Sequence, residues 1–250
     1  MTRTVEKRSK DAGVARANYR LQVLDAAEHA FAEMGYHGVS MRQIAEAAGV
    51  SISLAQYHFK TKEVLFGAVM ERRIMSINGR RLSQLDEVEM RAGKGRVKLE
   101  DVLRAFLEPT VLLCRDKVSG GGNFALLLAR VANEPLPYAR KVSTAYYDPI
   151  ARQTLRVLQL ALPDMPQERL AWCYVFAVGA MVSAVSPTGR VAQLSSGRCD
   201  PDNVEEILSF LVPYLTGAFE RVAQLPAPTA DSRKKDTHAS THQERLRRIR

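Results

Sequence analysis

The stretch "AAGVSISLAQYHFKTKEVLF", residues 47–66, places a glycine and a cluster of polar and aromatic side chains between two apolar runs. A fully buried helix would not carry Gln56 and Tyr57. A fully solvated helix would not carry Leu54 and Phe59. The mixture therefore predicts a short helix that packs through one face and presents polar groups on the other.

The residues around this helix predict a second one joined to it by a tight turn. Ser40 and Gln43 in "SMRQ" match a capping box, which begins a helix. Gly49 in "AAGV" suits a left-handed turn, because glycine has no side chain to clash there. Ser51 can cap the following helix. This order is typical of a helix-turn-helix, whose second helix enters the major groove of DNA.

Several exposed positions of this motif carry side chains that suit DNA. Glutamine can pair with adenine, serine can bond a base or a phosphate, and an apolar side chain can pack on a thymine methyl. Tyrosine and lysine can contact the phosphate backbone. We predict these DNA-binding residues: Ser40, Arg42, Ser51, Ile52, Ser53, Gln56, Tyr57, His58, Lys60 and Lys62.

Composition narrows the class of protein. The 250 residues carry a net charge of +9, which favours an anionic partner, either nucleic acid or a membrane surface. The three cysteines are far apart and form no CxxC, so we expect reduced thiols, a cytoplasmic protein and no disulfide framework. No apolar segment follows the basic start, which argues against a secretory signal. We expect no metal and no cofactor.

Helical periodicity dominates the rest of the chain, and no strand signal is found. Apolar residues from Leu21 to Met34 recur at steps of three and four, and Gly35 is placed to end that helix. Thr61 can cap a longer helix, and Asp202 or Asn203 can cap the last one. Further helices are predicted over 98–116, 122–133, 136–162 and 167–186, with kinks or breaks at Pro109, Pro149 and Pro213. The predicted fold is all-α, with about nine helices.

The segment "GYHGVSMRQIAEAAGVSISLAQYHFKTKEVLF" resembles the DNA-binding domain of the tetracycline-repressor (TetR) family. The shared pattern is a helix ending "FAEMGY", then S-x-x-x-IA-x-x-AGVS, a short helix ending "HF", and K-x-K-E-x-L. It covers about residues 17–70. Ser53, Leu54 and Gln56 stand where the family often has glycine, threonine and tyrosine. These departures leave open which side chain makes which DNA contact, and also the operator sequence.

The resemblance implies a homodimer that binds a palindromic operator on double-stranded DNA and responds to a small-molecule effector. The implied domains are a disordered basic N-terminus, the helix-turn-helix domain, a ligand-binding and dimerisation domain, and a disordered charged tail, over 1–16, 17–63, 64–225 and 226–250. The apolar segments "LAWCYVFAVGAMVSAV" and "VEEILSFLVPYLTGAF" suit a four-helix dimer interface, with a purely intramolecular core as the alternative.

The effector is expected to be apolar. The region "GAMVSAVSPTGRVAQLSSG" is similar to a TetR subgroup that includes fatty-acid-responsive regulators, which implies a fatty acid or acyl derivative. The candidate pocket residues, each also compatible with an ordinary core position, are Phe106, Leu113, Phe124, Leu127, Tyr146, Trp172 and Phe176.

The sequence also bears on two other classes of function. The chain contains no HExxH, GxSxG or Walker A pattern, so we do not expect an enzyme. A basic protein that binds nucleic acid or a membrane surface without sequence specificity is the alternative, but the basic end "QERLRRIR" is short and has few apolar anchors. We predict a ligand-responsive repressor without a membrane partner, released from its operator by the effector.

Overall fold

The computed structural model describes residues 2–133 and 143–226, with side chains over 18–132 and 144–226, and these ranges are helical without a strand. The all-α prediction is confirmed. The elements are α1 Thr2–Gly38, α2 Met41–Ala47, α3 Ile52–Phe59, α4 Lys62–Ala92, α5 Leu99–Arg115, α6 Gly121–Asn133, a π-helical turn Ser143–Tyr147, α7 Asp148–Ala161, α8 Gln167–Val185, α9 Arg190–Leu194 and α10 Val204–Ala223.

The first helix is longer than predicted. It begins at Thr2, whereas we predicted disorder over 1–16. The segment has no proline and is rich in alanine, lysine and arginine, and extending an existing helix avoids the cost of nucleation. Gly35 has φ 73°, so the helix is interrupted there as predicted and then continues to Gly38. The predicted disordered tail lies, from residue 227 onward, outside the described residues.

Helices α1 to α3 form a small domain, the head, around a shared apolar core. Phe31, Ile44, Ala55 and Phe59 are buried in it. The guanidinium of Arg20 covers the Phe59 ring at 5.2 Å from its centroid. The prediction that this short helix packs through one face is thereby confirmed, and the buried Ala55 and Phe59 hold α3 against α1 and α2.

Helix α4 joins the head to the remaining helices, the body. It packs against α1 in the head and against α5 and α7 in the body. Phe66 near its start meets Phe31 edge-to-face, with ring centroids 5.1 Å apart. One continuous helix of 31 residues therefore enters both cores.

Helix α5 is the centre of the body, with α4, α6, α7, α8 and α10 packed around it. Of the kinks or breaks predicted at Pro109 and Pro213, a break is absent at both, because α5 and α10 continue through these prolines. Pro149 lies in the first turn of α7, where no N–H is needed. The described ranges contain ten α-helices rather than about nine, since α9 is an extra short one.

Helix α8 is only partly buried. By length and composition, Gln167–Val185 could cross a membrane, and 33% of its most apolar window is buried. One face, with Leu170, Cys173 and Ala177, packs into the body. The opposite face leaves Trp172 and Phe176 exposed. The helix therefore has two apolar faces, of which the body covers one.

Candidate functional site

The turn between α2 and α3 is held by local hydrogen bonds, as predicted. Ser40 N–H donates to Gln43 Oε1 at 2.9 Å and Gln43 N–H donates to Ser40 Oγ at 3.3 Å, which completes the capping box. Gly49 has φ 66°. Leu54 N–H donates to Ser51 Oγ at 3.2 Å. The Ser40 hydroxyl also donates to Gln43 Oε1, so its predicted DNA contact competes with its capping role.

Helix α3 presents a polar face to solvent. Tyr57 is 68% exposed and Ile52 36% exposed, and Ser53 and Gln56 are exposed beside them. Arg42 is exposed on α2. The structure thus brings these predicted DNA-binding residues onto the solvent-facing side of the helix-turn-helix, where base edges and phosphates can reach them.

His58 and Lys60 end α3 in different environments. His58 is half-buried between the rings of Tyr57 and Phe59, and its Nε2 is buried without a hydrogen-bond partner in the part of the chain that the structure describes. That nitrogen faces away from solvent and therefore from DNA. Lys60 is exposed at the C-cap with φ 51°, and its ammonium remains available to a phosphate.

Lys62 is held inside the head, which the sequence did not indicate. Its Nζ donates to the Val39 carbonyl oxygen at 3.0 Å and lies 4.6 Å from the centroid of the Tyr36 ring. The side chain at the start of α4 therefore folds back and ties α4 to the link between α1 and α2. Its predicted phosphate contact would require it to leave these partners.

We expect Lys62→Ala to destabilise the protein by about 1–2 kcal/mol, because a charged hydrogen bond and a cation–π contact are lost. The melting temperature should fall by roughly 2–8 °C, measured by circular dichroism. Lys60→Ala is the matched control and should leave it unchanged. If Lys62 instead bound phosphate, its removal would flatten the salt dependence of DNA binding without lowering the melting temperature.

A buried ion-pair cluster ties the head to the body, and sequence reasoning missed it. Glu28 of α1 is 2% exposed and accepts hydrogen bonds from both Arg72 and Arg73 of α4, with Arg73 Nε–H at 2.9 Å from Oε2. Arg73 also donates to the Ser119 carbonyl in the loop before α6. Two features of the sequence could have indicated this cluster: the paired arginines of "ERRI" in α4 and the single acid in the apolar stripe of α1.

The body contains a cavity of about 300 Å³ between α4, α5, α6, α7 and α8. Its walls are mostly apolar, and a buried arginine from α4 reaches it. The lining residues are Arg81, Phe106, Leu128, Val131, Ala132, Tyr147, Asp148, Ala151, Tyr174, Val175, Val178, Met181 and Val182.

Of the predicted effector-binding residues, Phe106 lines this cavity and the others do not. Phe124 and Leu127 are buried in the core, and Leu113 and Tyr146 are half-buried elsewhere. Trp172 and Phe176, 63% and 61% exposed, lie on the outer face of α8. A missed signal was present in α4, where Arg81 interrupts the apolar series Ile77, Leu85 and Val88 at helical spacing.

Metal chemistry has no evident site in the described ranges, where no group of three or more His, Cys, Asp or Glu side chains converges. Cys114 and Cys173 are buried free thiols, and Cys199 is half-buried. Burial raises the pKa of the Cys114 thiol to about 12, so this side chain is protonated at neutral pH.

Residues 23–69 match the family profile described as bacterial regulatory proteins, tetR family, and residues 104–218 match that of a tetracyclin repressor-like C-terminal domain. The chain is 35% identical over 101 residues to the HTH-type transcriptional regulator RutR of Escherichia coli K12, covering 39% of this chain and 47% of that protein. It thus spans about half the length of that relative.

Two further comparisons cover more of the chain. It is 26% identical over 198 residues to an HTH-type transcriptional repressor of Mycobacterium tuberculosis, covering 77% of this chain and 90% of that one. Its fold is similar to that of the fatty acid degradation regulator FadR from Bacillus halodurans, with a TM-score of 0.56, 17% identity, and 78% and 94% of the two chains covered. The helix-turn-helix, the helical body and both profile matches agree, and the chain belongs to the TetR family of bacterial regulatory proteins.

Proposed function

We propose that this protein is a cytoplasmic, ligand-responsive transcriptional regulator that binds a palindromic operator as a homodimer. The proposal includes repression, relieved when a small apolar effector enters the body. The observation that carries it is the exposed face of α3, held on a packed head that helix α4 connects to a cavity-bearing body.

In this proposal, side chains of α3 contact the DNA bases, and side chains on and around α3 contact the phosphate backbone. Gln56 and Ser53 can bond base edges, and Ile52 can meet a thymine methyl. Tyr57 and Arg42, both exposed, can donate to phosphates on either side of the groove. The burial of Phe59 and Ala55 supports this assignment, since a rigid inner face lets the outer face enter the groove in one orientation.

Dimerisation is supported by a large exposed apolar surface on α8 and α10, here called the outer face. It includes Trp172, Phe176, Phe210 and Tyr214, each between 61% and 70% exposed. The Trp172 and Phe176 rings lie 5.5 Å apart and form one patch. Exposed aromatic patches of this kind mark protein interfaces. Two copies pairing through it would present two heads to half-sites about 34–36 Å apart.

The effector response is assigned to α4. A ligand in the cavity would contact Arg81 on α4, and the first turn of the same helix is anchored in the head by Lys62. A ligand that favours a displaced α4 by about 1–3 kcal/mol is enough to change operator occupancy. The apolar walls of the cavity support an acyl compound as the effector, as does the similarity in fold to the fatty acid degradation regulator FadR.

Gln56→Ala should weaken binding to the preferred operator by about 1–3 kcal/mol if the amide bonds an adenine in both directions. Fluorescence anisotropy with the preferred and a base-substituted duplex measures the effect. Gln224→Ala, the same change at an exposed site far from α3, is the matched control. Equal losses on both duplexes would mean that Gln56 contacts the backbone instead.

The whole proposal is tested by selecting random double-stranded DNA with the full chain at two salt concentrations. We expect a palindrome with half-sites about one helical turn apart, retained at higher salt. Recovery of no sequence, with binding that disappears as salt rises, would replace the proposal with a non-specific basic protein.

A further inference from the structure

The cavity in the body contains an arginine that has no charged partner among the residues that the structure describes. Arg81 is 2% exposed. It donates to the Phe106 carbonyl oxygen at 2.8 Å, to Thr110 Oγ1 at 2.7 Å and to Met181 Sδ at 3.4 Å. Its guanidinium also lies 4.5 Å from the centroid of the Phe106 ring. All of these partners are uncharged.

No carboxylate pairs with Arg81 in the described ranges. The contrast lies on the same helix, where Arg72 and Arg73 share the buried carboxylate of Glu28. Burying a guanidinium without a counter-charge is costly, and arginine does not escape the cost by losing its proton. Desolvation accordingly lowers the pKa of Arg81. An anion brought by a ligand would supply the missing charge.

A second polar group beside Arg81 also lacks a partner. The hydroxyl of Tyr147 is buried, and it has no hydrogen-bond partner within 18–132 or 144–226. Burial raises the pKa of this phenol, so it remains a neutral donor. Tyr147 and Arg81 line the same cavity. The Arg81 guanidinium and the Tyr147 hydroxyl are both hydrogen-bond donors, and the two oxygens of a carboxylate could accept from them.

The remaining walls define the rest of the ligand. Leu128, Val131, Val178 and Val182 are apolar and offer nothing to a second polar group. Asp148, half-buried at the start of α7, is the acid of this lining, and it does not form an ion pair with Arg81. The cavity, of about 300 Å³, thus offers a mostly apolar lining to the rest of the ligand.

We propose that the effector is a monocarboxylate with an apolar body, bound with its carboxylate on Arg81 and Tyr147. The assignment rests on the proposed function and narrows it, because it separates free acids from neutral acyl esters, amides and alcohols of the same length.

Isothermal titration calorimetry of the full chain without DNA tests the assignment. The probes are hexanoate, octanoate, decanoate and phenylpropanoate, each compared with its primary amide. We expect at least one acid to bind at least about ten-fold more tightly than its amide, because a charge-assisted pair is roughly twice as strong as a neutral hydrogen bond. Absence of acid binding up to millimolar concentration, or amides that bind as well, would overturn the assignment.

Variants identify the binding groups. Arg81→Met should remove the preference for the acid, and Tyr147→Phe should weaken acid binding several-fold while leaving amide binding unchanged. Tyr147→Phe keeps the test valid if Arg81→Met fails to fold, as checked by circular dichroism. Leu160→Met, on the exposed side of α7, is the control. Unchanged acid binding in a folded Tyr147→Phe protein and a folded Arg81→Met protein would contradict the site.

The two proposals fail separately. Selection of an operator without any acid binding would overturn the carboxylate assignment and leave the regulator intact. Acid binding that depends on Arg81, without any selected operator, would confirm the site and overturn the proposed regulation.

Discussion

Glu28→Ala is expected to lower the free energy of unfolding by about 3–5 kcal/mol, because it leaves the largely buried Arg73 without its carboxylate partner. The side chains of Arg72 and Arg73 are 26% and 13% exposed and both pair with Glu28. The melting temperature should fall by roughly 6–20 °C at about 2–4 °C per kcal/mol. Thermal and urea unfolding followed by circular dichroism measure this change.

Asp25→Ala is the matched control for Glu28. Asp25 also pairs with Arg72, at 2.6 Å, but its side chain is 70% exposed. A surface pair contributes about 0–1 kcal/mol, so the melting temperature should change little. Equal decreases in melting temperature for the two substitutions would show that the burial of Glu28 does not increase its contribution to stability. The same cluster joins α1 to α4, so we also expect Glu28→Ala to weaken transmission between body and head.

Phe176→Glu is expected to convert the protein to a monomer and to weaken operator binding at least about 100-fold, since loss of one head removes one half-site. In a two-fold interface the substitution occurs twice and places two carboxylates in an apolar contact. Light scattering after size exclusion should change from twice 27.8 kDa to 27.8 kDa. Anisotropy with the selected operator measures the loss of affinity.

Met90→Glu is the control for this change. Met90 is 73% exposed on α4, away from α8 and α10, and its replacement should leave mass and affinity unchanged. A wild-type mass of one chain at micromolar concentration would contradict the dimer. A Phe176→Glu protein that remains dimeric would place the interface elsewhere on the molecule.

Local sequence was sufficient for the helix-turn-helix. Ser40, Gln43, Gly49 and Ser51 act on backbone groups within three residues of themselves, so the caps and the turn could be predicted from spacing alone. The same holds for the N-cap at Asn203, whose side chain accepts from Glu206 N–H. The family followed from this segment, because its anchors are close together along the chain.

The effector site could not be predicted in that way. The seven candidate residues share a largely apolar character that is also common at core and interface positions, and of the seven only Phe106 lies at the cavity. Trp172 and Phe176 belong to the same helix as several lining residues but point to the outer face. Periodicity identifies the faces of a helix, but it does not tell which neighbour covers each face.

The local sequence determined the capped turns, the helix periodicity and the family membership. All three depend on hydrogen bonds and side-chain spacing within one or two helical turns. The positions of its charges were decided by the tertiary fold. Arg81 meets partners 25, 29 and 100 positions away, and Lys62 meets one 23 positions away. Packing brings such groups together from distant segments of the chain. Burial then strengthens the electrostatic interactions of each charge, because water no longer screens them.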